Sequence, residues 1–266
     1  AAGFGTPAAI AAPLLLSLGF PALAAAIVCL VFNSVPVSFG AAGTPIRFGL
    51  SVLQPQIETA LQTSTGIGFA DMAEFYMVIG RWTSVLHAVA GILLPLFVVC
   101  FMTRYFGQNR SWREGLGVWK FSLFASIAFL VPYLTTAFLF GEEFPSLIGG
   151  LIGLAITVSG AKRGWFMPEH SWDFGPQSAW DKEWTGQIAT SETRDFKPTM
   201  SLFRAWTPYV LIGLILVATR VSFLPFRAWL GSVTVSWPHI LGYETVNIAI
   251  QPLFLPGVVP FMLVAL

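Results

Sequence analysis

The sequence predicts an all-α, polytopic integral membrane protein, and three observations carry that reading. Only 10% of the 266 residues are charged, against about 25% in a typical soluble domain. Hydrophobic residues reach 55%, and the mean hydropathy is +0.73. The charges are also unevenly placed, with none in residues 1–46, 82–103, 121–141 or 144–161. Such stretches match the roughly 20 apolar residues a helix needs to cross a bilayer. A soluble enzyme, a secreted disulfide scaffold and a disordered chain are excluded.

Residues 1–46 are long enough for two crossings, but glycine and proline punctuate them. Gly3, Gly5, Pro7, Pro13, Gly19 and Pro21 fall in the first half, and Pro36, Gly40, Gly43 and Pro45 in the second. Proline removes a backbone donor and clashes with the preceding turn, so this segment reads as broken helices, cleanest over 22–32. Residues 47–76 mix Arg47, Glu58, Asp71 and Glu74 with Leu, Ile and Gln. A short interfacial helix plus a loop is the simplest account. Residues 77–160 predict three transmembrane helices, parted by the basic loop 104–120 and by Glu142-Glu143.

Residues 161–205 are the one extended polar region, with six charges of each sign and Trp165, Trp172, Trp180 and Trp184. That mix suits a segment resting at the headgroup level, where Trp is favoured. A region this short rarely buries enough core to fold alone. Residues 206–266 are apolar again and predict further transmembrane helices. The basic loop 104–120 and the Lys162-Arg163 pair both point to the cytoplasmic side. Glu142 and Glu143 then fall on the opposite side, where they read as solvated loop residues.

The net charge is +1 and basic tracts are absent, so no nucleic-acid partner is expected. Cys29 and Cys100 sit in apolar runs and read as packing residues. No CxxC, HExxH, GxSxG, P-loop or Rossmann pattern occurs, so no catalytic residue, metal site or cofactor is assigned. No starting Met or charged leader opens the chain, which ends inside an apolar run. A piece of a longer membrane protein is the expectation.

The most informative motif is a repeat. Gly5-Thr6-Pro7 recurs as Gly43-Thr44-Pro45, 38 residues later, each after a run of small residues. Two Gly/Pro-interrupted segments in corresponding positions are the best sequence pointer to a transporter binding site. An interrupted helix leaves backbone groups unpaired, and a half-helix N-terminus attracts an anion. Thr6 and Thr44 would act as N-caps, with Pro7 and Pro45 at the first helical position. The plainer alternative is a pair of loop ends outside the membrane.

Between the repeats lie Asn33 and Ser34, followed by Pro36 and Ser38. An amide and hydroxyls beside a helix break could contact the carboxylate and hydroxyl of a small substrate. They could equally bond neighbouring helices. Further on, Gly80, Thr83, Ser84, His87 and Gly91 recur at spacings of three and four, one small polar helical face. His87 is a proton-relay candidate or a packing residue. Arg81 either snorkels to the surface or balances an anion. Glu142 is a possible coupling carboxylate, and Gly149, Gly153 and Thr157 form a helix-contact stripe.

At these residues the chain resembles the lactate permease family of bacterial membrane transporters. The strings Ala2-Gly3-Phe4-Gly5-Thr6-Pro7-Ala8-Ala9-Ile10 and Leu18-Gly19-Phe20-Pro21 carry the likeness. So does Asn33 through Ile46, whose core reads Asn33-Ser34-Val35-Pro36-Val37-Ser38-Phe39-Gly40. Weaker likenesses run through Gly80-Arg81, Leu94-Pro95-Leu96, the stretch 143–150 and the stretch 205–209. The resemblance implies import of lactate or glycolate with a proton across the bacterial cytoplasmic membrane. It also implies re-entrant hairpins within an inverted-repeat architecture, of which this chain would be the central portion.

Taken together, the leading expectation is a multi-pass secondary transporter of a small 2-hydroxy monocarboxylate. Its substrate-binding candidates are Gly5, Thr6, Pro7, Asn33, Ser34, Gly43 and Thr44. Its proton-coupling candidates are His87, Arg81 and Glu142, and no cofactor is expected, with the proton as the coupling ion. A transporter of another small organic anion, a membrane enzyme, and a sensor that binds without moving substrate are the alternatives.

Overall fold

A computed structural model describes residues 6–63, 68–185, 201–220, 224–238, 248–254, 259 and 262–263. The chain divides into two compact units, Ala1–Arg194 and Asp195–Leu266. In the first unit the charge-free opening folds as short helices. Helix α1 (Thr6–Ser17) turns back onto α2 (Ala22–Ser34). The turn passes through Gly19 at φ +92, a left-handed conformation that glycine adopts without steric cost. Pro36 follows α2, and a 3-10 turn, Val37–Phe39, leads into α3 (Gly40–Ser51). The polar α4 (Gln54–Thr63) buries none of its residues.

Helix α5 (Met72–Gly91) has a reciprocal N-terminal cap. Asp71 accepts from the Glu74 N–H, and Glu74 accepts from the Ala70 N–H. Helix α6 (Leu94–Tyr105) continues it after a break at Ile92–Leu93. Pro95 explains the break, because it offers no N–H to the Gly91 carbonyl and its ring would clash there. The short α7 (Trp112–Leu116) folds back on α6, and Gly115 lies against the Cys100 backbone. Both cysteines are buried and free. Helix α8 (Trp119–Phe140) then joins α9 (Pro145–Lys162) through Gly141 at φ +83.

Three stretches, Met72–Tyr105, Trp119–Phe140 and Pro145–Lys162, are long and apolar enough to cross a membrane. Their outer faces carry Trp82, Leu86, Val89, Val131 and Phe138, all largely exposed. The protein is thus the all-α polytopic membrane protein its composition predicts. The α8–α9 hairpin closes on the glycine stripe. A Cβ at Gly149 would stand 2.9 Å from the Tyr133 Cβ, and one at Gly153 2.8 Å from the Phe129 Cα. Gly160 meets the Phe124 ring in the same way. Glycine lets two backbones approach where no water drives association.

Two apolar clusters hold the unit. Phe39, Ile46, Leu130 and Tyr133 join α3 and its preceding turn to α8, with Tyr76 and Ile79 of α5 beside them. Ala24, Val98, Met102 and Phe106 join α2 to α6. The described part of the polar Trp-rich region packs on this second cluster through Trp172, Phe174 and Trp184. Phe20 meets Phe174 at 4.8 Å and Phe106 meets Trp184 at 4.9 Å between ring centroids. Trp184 lies in the single-turn α10 (Lys182–Thr185). Trp172 and Trp184 act here as half-buried anchors, holding a polar stretch of chain through their aromatic surface.

The second unit begins with α11 (Leu202–Arg220) and the short α12 (Phe226–Gly231). Strands β1 (Val235–Trp237) and β2 (Ile248–Ile250) then pair antiparallel, with Val235 opposite Ile250. This two-stranded ribbon departs from a purely helical reading of 206–266. Val235, Trp237, Ile248 and Ile250 are β-branched or aromatic, the types that favour a pleated surface.

Candidate functional site

The site is assembled where α3, the middle of α5 and the α8–α9 turn meet. Gly141 ends α8 and Pro145 starts α9, so Glu142 and Glu143 fall between two helix ends. They are not the solvated loop residues their position in sequence implies. Glu142 is 4% exposed and Glu143 8%. The reason is the ion pair they find in α3. Arg47 Nε donates to Glu142 Oε1 at 2.7 Å, and its Nη2 lies 3.2 Å from Glu143 Oε1. Tyr76 places its ring 5.8 Å from the same guanidinium. A buried carboxylate is tolerable only with a partner of this kind.

Two glycines make room for Glu142. A Cβ on Gly43 would stand 2.7 Å from the Glu142 carbonyl oxygen and 2.9 Å from its Cγ. A Cβ on Gly80 would stand 3.2 Å from the Glu142 Cβ. Gly43 also lies at φ +77 within α3, so glycine is required there twice, by backbone and by contact. Arg47 follows Gly43 by four residues, one helical turn, which puts the cation and the gap on the same side.

The chain around Gly43 corrects one expectation. Helix α3 starts at Gly40, so Thr44 is not its N-cap and Pro45 lies inside it. The interruption comes instead from the left-handed Gly43, followed by Pro45, which offers no N–H to the carbonyl of Ala41. Thr44 is half-buried beside this break.

A second polar group lies in the helices below the ion pair. His87 Nδ1 and the Tyr133 hydroxyl are 2.7 Å apart, and His87 Nε2 is 3.5 Å from Ser38 Oγ. Whichever ring nitrogen carries the proton, Tyr133 can take the complementary role, since its hydroxyl both donates and accepts. Phe39 closes over this group, edge-on to His87 and to Tyr133 at 5.8 and 5.4 Å. Ser146 Oγ of α9 donates to the Phe39 carbonyl at 2.8 Å. The small polar face of α5 meets other elements at three of its five positions, while Ser84 donates back to the Arg81 carbonyl of its own helix. Gly80 meets Glu142, His87 meets Tyr133 and Ser38, and Gly91 meets Val35.

The remaining sequence candidates are placed as follows. Arg81 turns to the end of α8, where Nη2 donates to the Phe138 carbonyl at 3.1 Å, and it does not share the Arg47 cluster. Its Nε is buried without a hydrogen-bond partner among the described residues. Ser34 Oγ donates back to the Val31 carbonyl of its own helix. Asn33 is half-buried at the end of α2. Thr6 and Pro7 open α1, with side chains outside what the structure describes, and Gly5 lies outside the described residues. Among the described residues, no group of three or more His, Cys, Asp or Glu could hold a metal ion.

Sequence reasoning missed Arg47, Tyr76 and Tyr133, and carried only Glu142 of the acidic pair forward as a coupling candidate. Arg47 is the first charge after 46 uncharged residues and follows the second Gly-Thr-Pro by two positions. That was a usable signal. Tyr133, inside an uncharged helix, had no pattern of its own.

Comparison with known proteins adds a family to this geometry. The family profile described as L-lactate permease matches residues 1–253. A Haemophilus influenzae relative is 29% identical over 100% of this chain, which covers 46% of it. The L-lactate permease of Bacillus subtilis is 32% identical over 80% of this chain and 32% of its own length. A glycolate permease of Escherichia coli is 29% identical over 86% of this chain and 36% of its own length. The chain thus spans between about a third and a half of these relatives. No solved structure matches.

Proposed function

Because the chain belongs to the L-lactate permease family, we propose that the intact protein imports a small 2-hydroxy monocarboxylate together with a proton. L-lactate and glycolate are the leading cargoes, since relatives are named for each. In this reading it is a multi-pass transporter of the bacterial cytoplasmic membrane, not an enzyme. A proton would neutralise the cargo, because a bare carboxylate is expensive to carry through hydrocarbon.

One observation carries the reading. The interrupted element marked for the anion and the carboxylate marked for the proton are in contact, Gly43 against Glu142. Gly43 and Thr44 then offer the backbone of the break to the cargo. Thr6 and Pro7, at the start of α1, form the matching element, with Gly5 before them. Asn33 is the candidate for the cargo's hydroxyl, and Ser34, whose Oγ donates to the Val31 carbonyl, can still accept a hydrogen bond from it. Glu142 and His87 are the proton-coupling groups, and Arg81 has a separate role at the end of α8. Alternating access would move the broken helices against the α8–α9 hairpin, one half of an inverted-repeat pair.

The test is uptake of labelled L-lactate and glycolate by the intact protein in proteoliposomes under an inward proton gradient. Accumulation that a protonophore abolishes is the expected result. Absence of proton-driven uptake for every 2-hydroxy acid tried would sink the reading.

A further inference from the structure

We infer that Arg47 is the residue that receives the cargo's carboxylate, and that the Glu142–Glu143 pair takes the accompanying proton when the cargo displaces it. The inference rests on the transport reading above and adds to it the residue that binds the anion and the reason for coupling. It starts from a count of charges. The cluster holds one guanidinium and two carboxylates, Arg47 against Glu142 and Glu143. Among the described residues, the contacts also place Tyr76 of α5 against the guanidinium. With every acid ionised the cluster carries one net negative charge, in a place from which Glu142 and Glu143 are almost wholly excluded from solvent.

A third carboxylate cannot join such a cluster unaided. Like charges at contact distance repel strongly where water is excluded. If one proton arrives with each carboxylate, the loaded cluster has the same net charge as the empty one. One-to-one coupling then follows from charge balance. The proton comes from the aqueous phase and bonds to a carboxylate oxygen of the pair. No covalent bond breaks, and the freed guanidinium donors turn to the cargo.

Arg47 is suited to the exchange. A guanidinium presents five N–H donors in a planar fork matched to a carboxylate. Nε is committed to Glu142 at 2.7 Å, while Nη2 holds Glu143 at the longer 3.2 Å. A third of the Arg47 side-chain surface remains exposed, against 5% and 9% for the two glutamates. The cation is therefore the reachable member of the cluster. It also follows the left-handed Gly43 by one helical turn, so the break in α3 and the fork lie together. His87 is not needed for this step, being engaged by Tyr133 and Ser38.

The experiment uses the intact protein in proteoliposomes with labelled L-lactate as the probe. Wild-type uptake is measured first, and its absence would sink the transport reading itself. Given wild-type uptake, the double variant E142Q/E143Q is expected to lose proton-driven accumulation yet still exchange internal for external L-lactate. The neutral triple variant R47Q/E142Q/E143Q, which leaves no buried charge unpaired, is expected to lose exchange as well. R47K keeps the charge but not the fork, and should raise KM for L-lactate by about 10- to 150-fold, the worth of one charge-assisted hydrogen bond. Continued uphill accumulation in the double variant, or exchange in the triple variant, overturns the inference and leaves the transport reading standing. If the double variant does not reach the membrane, an unchanged KM in R47K overturns it.

Discussion

Adding one methyl group at Gly43 perturbs the site at its tightest point. The new Cβ would stand 2.7 Å from the Glu142 carbonyl oxygen, so α3 and the α8–α9 turn must separate by several tenths of an ångström. Overpacking of this kind costs about 1–3 kcal/mol. The backbone adds to it, because Gly43 lies at φ +77, where an L-residue loses about 1–2 kcal/mol. Gly43→Ala should therefore destabilise the protein by roughly 2–5 kcal/mol. It should also lengthen the 2.7 Å bond from Arg47 to Glu142. Gly49→Ala is the internal control, in the same helix with nothing within 4 Å of its Cβ position. There alanine should be neutral or stabilising by up to about 1 kcal/mol. Thermal unfolding of the detergent-solubilised protein, followed by tryptophan fluorescence, separates the two. Equal Tm values for the two variants would refute the argument that Gly43 is held against Glu142.

Further outcomes follow from the same contacts. Gly153→Leu should split the α8–α9 hairpin, since even a Cβ would stand 2.8 Å from the Phe129 Cα, whereas Gly150→Ala meets nothing; crosslinking between cysteines placed on the two helices would read this out. Tyr133→Phe leaves His87 without its 2.7 Å partner and should cost about 1–3 kcal/mol, measured by unfolding. Arg47→Gln strands two buried carboxylates, a loss toward the lower end of about 3–5 kcal/mol because the cation is partly exposed, and E142Q in the same chain should recover part of it. Trp184→Ala removes the ring packed on Phe106 at 4.9 Å, and limited proteolysis should then cut within 161–185 faster than in the wild type.

The membrane architecture was legible because hydrocarbon leaves few options: long uncharged helices are the cheapest way to satisfy every backbone group. The glycine stripe at 149 and 153 was legible for the same reason, since close helix packing has a fixed spacing. The site was only half legible. Gly43 was singled out by its repeated tripeptide, and His87 and Glu142 by the rarity of ionisable groups near apolar runs. Their partners were not, because Arg47 and Glu142 are 95 residues apart and His87 and Tyr133 are 46 apart. No local pattern encodes a contact across that distance. Glu142-Glu143 misled for a physical reason, as two acids at a helix junction are solvated unless a distant cation covers them. The ribbon of β1 and β2 was hidden because short apolar β-branched runs fit a membrane helix and a strand equally well.

The central claim is that a carboxylate and a proton move together through this protein. It is met most directly by recording the external pH of weakly buffered proteoliposomes when L-lactate is added outside. The account predicts an immediate alkalinisation, about one proton for each L-lactate taken up, reduced to the protein-free rate in E142Q/E143Q. L-lactate entering through the wild-type protein with no accompanying change in pH would contradict it.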